Sequence, residues 1–309
     1  MPKRKTSSLA ILLAVIASAI SGINTPVIHY ALGTIPTPLF GFLRMAIPLL
    51  VLTPLMLISK RNRPKTKHIL LAMTYGMLVY FASNGLFYLG ISRSGAINAA
   101  IIWLLSPLLM FSFSVEVMGE KFSPRVLIGI FIAFAGSMLV VFGPMLGHQK
   151  FALTGSIAGN LLLVGCVFCS VGGNWVAKST LKHVDRLQLL FWALVPATLI
   201  FGMLSFKNWD QIPGIFQNPG TRYAVLFGAL MNGLVAYAFS FYALKRLRGE
   251  EFGIFDYVDP AVAAVVAVVF FRQTFTPLLL GGVFVIFVGL YLAEAHRHRA
   301  LNVHWLRRH

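Results

Sequence analysis

The chain has 309 residues, of which 58% are hydrophobic and only 11% are charged. A soluble domain carries roughly 25% charged residues, so a soluble globular protein with one aqueous surface is excluded. A net charge of +17 would suggest a nucleic-acid partner in a soluble protein, but the placement of the basic residues gives a different explanation. We therefore predict an all-α membrane protein.

Ten apolar segments follow one another along the chain, each long enough to cross a hydrocarbon core of about 30 Å. The predicted spans are Ser8–Leu32, Thr37–Ser59, His68–Ile91, Gly95–Val117, Pro124–Phe142, Leu153–Ala177, Leu187–Phe206, Thr221–Leu244, Gly253–Phe271 and Pro277–Ala295. We therefore expect most of the protein surface to face the lipid bilayer.

Lys3-Arg4-Lys5, followed by an apolar run and Ala17-Ser18-Ala19, resembles a secretory signal peptide. Asn24, however, has a counterpart at Asn174 in the second half of the chain. Removing the segment would also leave nine spans and an incomplete first half. We therefore expect the first span to be retained.

Basic residues flank the spans unevenly. With a cytoplasmic N-terminus, twenty of the 26 Lys and Arg residues fall in or beside inner segments, five fall at outer segments, and Arg44 lies within a span. The positive-inside rule then predicts a multi-pass protein of the plasma membrane (the inner membrane in a Gram-negative cell) with both termini cytoplasmic. Nucleic acid is not an expected partner.

The second half of the chain repeats the first. The repeat is carried by pairs that lie 153 positions apart: Ser106-Pro107 and Asp259-Pro260, Pro124 and Pro277, Gly129 and Gly282, Gly136 and Gly289. Because each half holds five spans, an odd number, the halves must cross the bilayer in opposite directions. We predict ten transmembrane helices in two inverted five-helix repeats, over residues 1–147 and 148–295, followed by a basic cytoplasmic tail at 296–309. Such repeats are typical of secondary transporters, whose site lies near the midplane.

Three charged residues lie well inside the predicted spans: Arg44, Asp256 and Asp259. At 1.5 Å per residue, Arg44 lies about 10 Å from the outer face and Asp259 about 12 Å from the inner face. Charges at such depth are costly, which favours a functional site. A mid-membrane carboxylate can hold a proton or attract an ammonium group, and an arginine can bind a carboxylate. The alternative is an Arg44–Asp259 ion pair that only holds the halves together.

Other polar and aromatic side chains are expected to line the same cavity and to bind substrate or protons: Asn24, Asn174, Trp103, Ser106, Tyr80, Asn84, Trp192 and Tyr237. For the two asparagines of the repeat, hydrogen bonding between helices is an open alternative. Pro107 and Pro260 each remove a backbone donor at mid-span, which predicts a pair of hinges or cavity-lining kinks. A simple packing kink is the alternative for both.

Motifs of enzymes and of metal sites are absent from the sequence. It contains no HExxH, nucleophile elbow or P-loop, and Cys166 and Cys169 have no further zinc ligands nearby. We predict no enzymatic activity, no metal and no cofactor. Because a nucleotide-binding motif is missing, coupling is expected to use an ion gradient or the gradient of the substrate.

The turn Gly119-Glu120-Lys121-Phe122-Ser123 after Pro107, the glycines at 129 and 136, Gly22-Ile23-Asn24 and Arg44 resemble the EamA-type members of the drug/metabolite transporter superfamily. In the second half Gln273 and Thr274 replace the acidic and basic residues of the turn. The resemblance covers nearly the whole chain. It implies a basket-shaped bundle, a central cavity and alternating access, with small metabolites as substrates.

We therefore predict a secondary active transporter, and more specifically an exporter of amino acids or related amines. Its expected partners are a small-molecule substrate and, as a candidate coupling ion, the proton. A passive facilitator of metabolites or drugs and a non-transporting membrane scaffold are the alternatives that the sequence leaves open.

Overall fold

The computed structural model describes residues 8–58, 64–120, 122–142, 156–271 and 280–293, and these ranges contain helices and no β-strand. The predicted tail at 296–309, the joint between the halves at 143–150 and the Arg272–Thr276 turn lie outside the described residues.

The first half contains α1 (Ser8–Leu32), α2 (Thr37–Ile58), α3 (Thr66–Tyr75), a π-helical segment π1 (Gly76–Ser83), α4 (Asn84–Trp103), α5 (Ser106–Glu116) and α6 (Pro124–Phe142). The second half contains α7 (Ile157–Thr180), α8 (Arg186–Ser205), a 3-10 helix (Phe206–Gln211), α9 (Ile212–Gln217), α10 (Pro219–Leu226), π2 (Phe227–Ala236, π-helical), α11 (Tyr237–Leu244), α12 (Gly249–Gly253), a 3-10 helix (Ile254–Tyr257), α13 (Val258–Phe271) and α14 (Leu280–Ala293).

Seven helical stretches of the described chain are long and apolar enough to cross a membrane, and two shorter apolar helices lie at 124–139 and 280–293. The predicted all-α membrane fold is confirmed. One connection differs from the prediction, because α4 stays helical through the residues between Ile91 and Gly95. There the Ser94 hydroxyl donates to the Ser156 carbonyl and the Asn98 amide to Asn160, so polar groups at this end of the bundle are paired without unwinding the chain.

Contacts between α6 and α14 display the inverted symmetry directly. A side-chain carbon at Gly129 would meet the Gly289 carbonyl, and one at Gly136 would meet the Gly282 carbonyl. The first contact becomes the second when each residue is exchanged for its partner 153 positions away. The two helices are therefore antiparallel and are packed closely through glycines, as membrane helices often are.

The fourth span of the first half and its counterpart in the second half are both interrupted next to their prolines. The α-helix stops at Leu104–Leu105 and restarts at Ser106, and a 3-10 helix precedes α13. The hydroxyl of Tyr257 donates to the Leu104 carbonyl at 3.3 Å. Pro107 lies in the first turn of α5, where a missing backbone donor costs little. The irregular backbone thus precedes each proline, and the other half of the protein satisfies one of its carbonyls.

A polar cluster joins three helix ends at the predicted cytoplasmic end of the bundle. The Glu120 carboxylate pairs with Lys178 at the end of α7 and accepts the Gly249 backbone N–H at the start of α12 at 2.8 Å. Glu250, which precedes the predicted span at Gly253, is fully buried 2.8 Å from an Arg248 nitrogen. Burial raises the pKa of Glu250 to about 7. The cluster fastens the first half to the second at this end.

Substituting Gly76 by alanine is expected to destabilise the protein by roughly 1–3 kcal/mol, the usual range for an overpacked core. A Cβ atom at Gly76 would clash with the Ala193 carbonyl of α8. Gly172→Ala is the matched control, because a Cβ atom there meets nothing within 4 Å. Thermal unfolding in detergent should show a lower Tm for the first variant and an unchanged or slightly higher Tm for the second.

Candidate functional site

A cavity of about 220 Å³ lies between the two halves of the chain. Its walls come from α1 to α4 of the first half and from α7, π2, α11 and the segment from α12 to α13 of the second. Its polar and charged lining residues are Ser18, Ser21, Asn24, Thr25, Arg44, Tyr75, Ser83, Asn84, Trp103, Ser170, Asn174, Asn232, Tyr237, Ser240, Asp256 and Asp259. The cavity therefore unites the three charges that the sequence places inside the membrane.

Arg44 forms the basic pole of this cavity and is 3% exposed. Its Nε donates to the Gly228 carbonyl at 3.3 Å, and its Nη1 donates to Asn84 Oδ1 at 3.3 Å and to the Tyr88 hydroxyl at 2.5 Å. Its Nη2 donates to Asn232 Oδ1. A guanidinium has five N–H donors, so these four bonds leave one of them without a hydrogen bond to a described residue.

Every hydrogen-bond acceptor of Arg44 in the described part of the chain is neutral. An Arg44–Asp259 ion pair, the alternative left open by the sequence, is not formed. The positive charge is therefore oriented by hydrogen bonds but is not cancelled by a carboxylate. A buried charge without a counter-ion is costly, and an anionic ligand group would relieve that cost.

The acidic pole is built by Asp256 and Asp259. Asp256 Oδ2 accepts a hydrogen bond from the Ser106 hydroxyl of the first half at 2.8 Å. Asp259 Oδ1 is buried and has no hydrogen-bond partner among the described residues. Asp259 is thus an acceptor that faces the cavity region and is available to a proton or to an ammonium group.

Helix α1 contacts both poles. Gly22 approaches so closely that a Cβ atom there would lie 2.6 Å from the Asp259 carbonyl. Asn24 lies against Gly228, the same residue that contacts the Arg44 side chain. Asn24 is 4% exposed, and its Oδ1 has no hydrogen-bond partner in the described structure. Asn24 therefore adds a second acceptor without a partner among the described residues to the lining of the cavity.

The structure brings most of the predicted site residues together. Nine of them line the cavity, namely Asn24, Arg44, Asn84, Trp103, Asn174, Tyr237, Asp256, Asp259 and Pro260. Ser106 lies behind Asp256 and acts through its hydrogen bond. Pro107 packs in the first turn of α5 and is not part of the lining.

Two predicted residues lie elsewhere. Tyr80 is fully buried between Tyr75 and Tyr237, with ring centroids 5.7 Å and 4.7 Å away. Trp192 is half-buried, packs edge-on against Phe191 and lies against the main hydrophobic core. Neither residue belongs to the cavity lining.

Asn232, Tyr88 and Ser21 belong to the hydrogen-bond network of the candidate site but were not predicted from the sequence. Asn232 is 4% exposed, binds Arg44 through Oδ1, and donates through Nδ2 to the Ser21 hydroxyl at 3.1 Å. The signal for Asn232 was available, since an amide inside an apolar span needs polar partners just as Asn24 does. Tyr88 and Ser21 carry no such signal, because both residue types are common in transmembrane helices.

Comparison with known proteins identifies the family of this bundle. The profile described as the EamA-like transporter family matches residues 8–142 and again residues 157–294. An uncharacterized transporter of Archaeoglobus fulgidus is 24% identical over 245 residues, which cover 78% of this chain and 81% of that protein. The uncharacterized transporter YrdR of Bacillus subtilis is 24% identical over 302 residues, or 93% of this chain and 92% of YrdR.

A solved crystal structure covers 94% of this chain and 99% of its own chain with a TM-score of 0.77. At 17% sequence identity it shows a shared fold and nothing more. The profile, by contrast, matches each half of the chain once, in register with the two sets of helices. The chain therefore belongs to the EamA-like transporter family, as its sequence resemblance implied.

Proposed function

We propose that this multi-pass membrane transporter is a secondary active exporter of small metabolites, foremost amino acids or related amines, and that a zwitterion is its best ligand. The observation that carries the proposal is a buried Arg44 whose hydrogen-bond acceptors among the described residues are all neutral, in the same cavity as two carboxylates. A volume of about 220 Å³ suits a small metabolite better than a drug-sized ligand, whose pockets measure roughly 300–1,000 Å³.

In this proposal the carboxylate of the substrate binds Arg44, and its ammonium group lies toward Asp259 and Asn24 Oδ1. Charge-assisted hydrogen bonds of this kind are shorter and stronger than neutral ones. Each end of the substrate thereby compensates a group whose burial is costly in the empty cavity. Binding at both poles joins elements of the two halves, which is the arrangement that alternating access requires.

Coupling follows from the same acidic pole. A proton and a substrate ammonium group are alternative ligands of Asp259, so we propose that entry of one displaces the other. Exchange of outside protons for inside substrate would then drive export. We place the chain in the plasma membrane with both termini cytoplasmic, which its distribution of basic residues supports, and set the repeats at 1–147 and 148–295 with a basic tail at 296–309.

A thermal-shift screen of purified protein tests the substrate class. Amino acids should raise Tm, because a ligand at 100 times its Kd stabilises a folded protein by about 2.7 kcal/mol. The matched amine, without the carboxylate, and the matched acid, without the ammonium group, should each stabilise it less than the amino acid. Stabilisation by none of the metabolites would favour the scaffold alternative. Substrate flux that ignores a proton gradient would favour the facilitator.

A further inference from the structure

Two π-helical segments, one in each half, position three of the four hydrogen-bond acceptors of Arg44. Shifting π1 (Gly76–Ser83) by the repeat offset of 153 gives residues 229–236, which lie within π2 (Phe227–Ala236). A π-helix closes its hydrogen bonds over five residues and often marks a functional site. The same irregularity at equivalent places in both repeats indicates a shared structural purpose.

In the first half, π1 orients Asn84. The backbone N–H of Asn84 bonds to the Val79 carbonyl five residues back, as in a π-helix. Its side-chain Nδ2 donates to the carbonyls of Val79 and Tyr80, at 2.9 Å and 3.4 Å. Because backbone carbonyls of π1 accept hydrogen bonds from Asn84 Nδ2, the side chain directs Oδ1 toward Arg44.

In the second half, π2 supplies two further oxygens. The Gly228 carbonyl accepts from Arg44 Nε, and Asn232 Oδ1 accepts from Nη2. The Nδ2 group of Asn232 is engaged by the Ser21 hydroxyl, which again leaves Oδ1 for the guanidinium. Both amides are therefore oriented by neighbours that occupy their donors.

The chemistry of these acceptors decides what the cavity can bind. An aspartate at either position would have nearly the same shape but would form an internal ion pair with Arg44. An amide satisfies the N–H donors and leaves the charge for a ligand. We propose that Asn232 and Asn84 are positioning residues that set the charge selectivity of the cavity, by reserving Arg44 for a substrate carboxylate. This inference rests on the proposed binding of a substrate carboxylate at Arg44.

Asn232→Asp tests the inference, with affinity measured for an amino acid and for its decarboxylated amine on purified protein. Wild type should prefer the amino acid. The variant should lose about tenfold or more of that preference, since tenfold corresponds to one ordinary charge-assisted interaction. Asn232→Ser keeps a neutral oxygen, and it should weaken binding of both ligands while preserving the preference. The contrast between the two variants distinguishes an effect of the charge at position 232 from a merely structural role of Asn232.

Asn98→Asp is the matched control. Asn98 is also a buried amide, 7% exposed, but it pairs with Asn160 and does not line the cavity. The Asn98→Asp variant should keep the wild-type preference for the amino acid over the amine. Asn84→Asp provides a second variant should Asn232→Asp fail to yield monodisperse protein, and it should shift the preference in the same direction.

The outcomes separate the two levels of the proposal. If wild type does not distinguish the amino acid from the amine, the proposed function is wrong. If wild type distinguishes them and a folded Asn232→Asp or Asn84→Asp variant does so equally well, the positioning role is overturned while the proposed function stands.

Discussion

Arg44→Lys is expected to lower substrate affinity by about tenfold or more, because losing a hydrogen bond between charged groups costs roughly 1.5–3 kcal/mol. Lysine keeps the positive charge but has a compact ammonium group in place of a planar fork. It cannot reach the Gly228 carbonyl, Asn84 and Asn232 together and still offer a donor to a substrate. Binding to purified protein and exchange in reconstituted vesicles should fall together.

Arg93→Lys provides the control for that result. Arg93 is exposed at the predicted outer end of the bundle, and its side chain is not part of the cavity lining. The same chemical change there should leave affinity and exchange unaltered. An Arg44→Lys protein that binds as tightly as wild type would show that the guanidinium fork does not contact the substrate.

Asp259→Asn is expected to abolish proton dependence or transport itself, while the protein still folds and inserts. Its Oδ1 has no partner in the described structure, so the neutral amide removes a proton or ammonium site without breaking a hydrogen bond of that atom. Uptake and efflux by vesicles under an imposed pH gradient measure the effect.

Glu116→Gln makes the same chemical change at an exposed position at the end of α5. This variant should respond to the gradient as wild type does. Normal gradient-driven transport by Asp259→Asn would remove Asp259 from the coupling mechanism, and failure of both variants would point to a general loss of function instead.

The overall architecture is predictable from the sequence because the bilayer permits so few solutions. Backbone groups in lipid must be paired internally, which forces apolar spans into helices. Counting those spans and pairing Ser106-Pro107 with Asp259-Pro260 is enough to infer the inversion. The glycine contacts of α6 with α14 then follow the same pairing.

The geometry of the site is less predictable, because it depends on how each helix is rotated. Depth alone places Arg44 and Asp259 near the midplane, yet it cannot decide whether they pair. In the structure they do not pair, and Arg44 donates to neutral acceptors instead. Tyr80 and Tyr237 show the same limit, since both lie on cavity-forming spans and only Tyr237 lines the cavity.

Irregular backbone is the feature that is hardest to predict from the sequence. Pro107 and Pro260 mark breaks, but the unwinding occurs at Leu104–Leu105 and Ile254–Tyr257, before each proline. No residue type in the sequence predicts π1 or π2, because a π-helical segment differs from an α-helix only by one extra residue in the turn. Gly228 and Asn232, which accept hydrogen bonds from Arg44, lie in π2, and Asn84 directly follows π1.

Exchange in reconstituted vesicles tests most directly whether one cavity binds both ends of a zwitterion. Vesicles loaded with a labelled amino acid are placed in unlabelled amino acid, in the matched amine, or in the matched carboxylic acid. We expect the amino acid to accelerate release of the label. The amine and the carboxylic acid, each of which has only one of the two charged groups, should accelerate it far less. Equal acceleration by the amine or the acid, or no exchange with any amino acid, would contradict a site spanning Arg44 and Asp259.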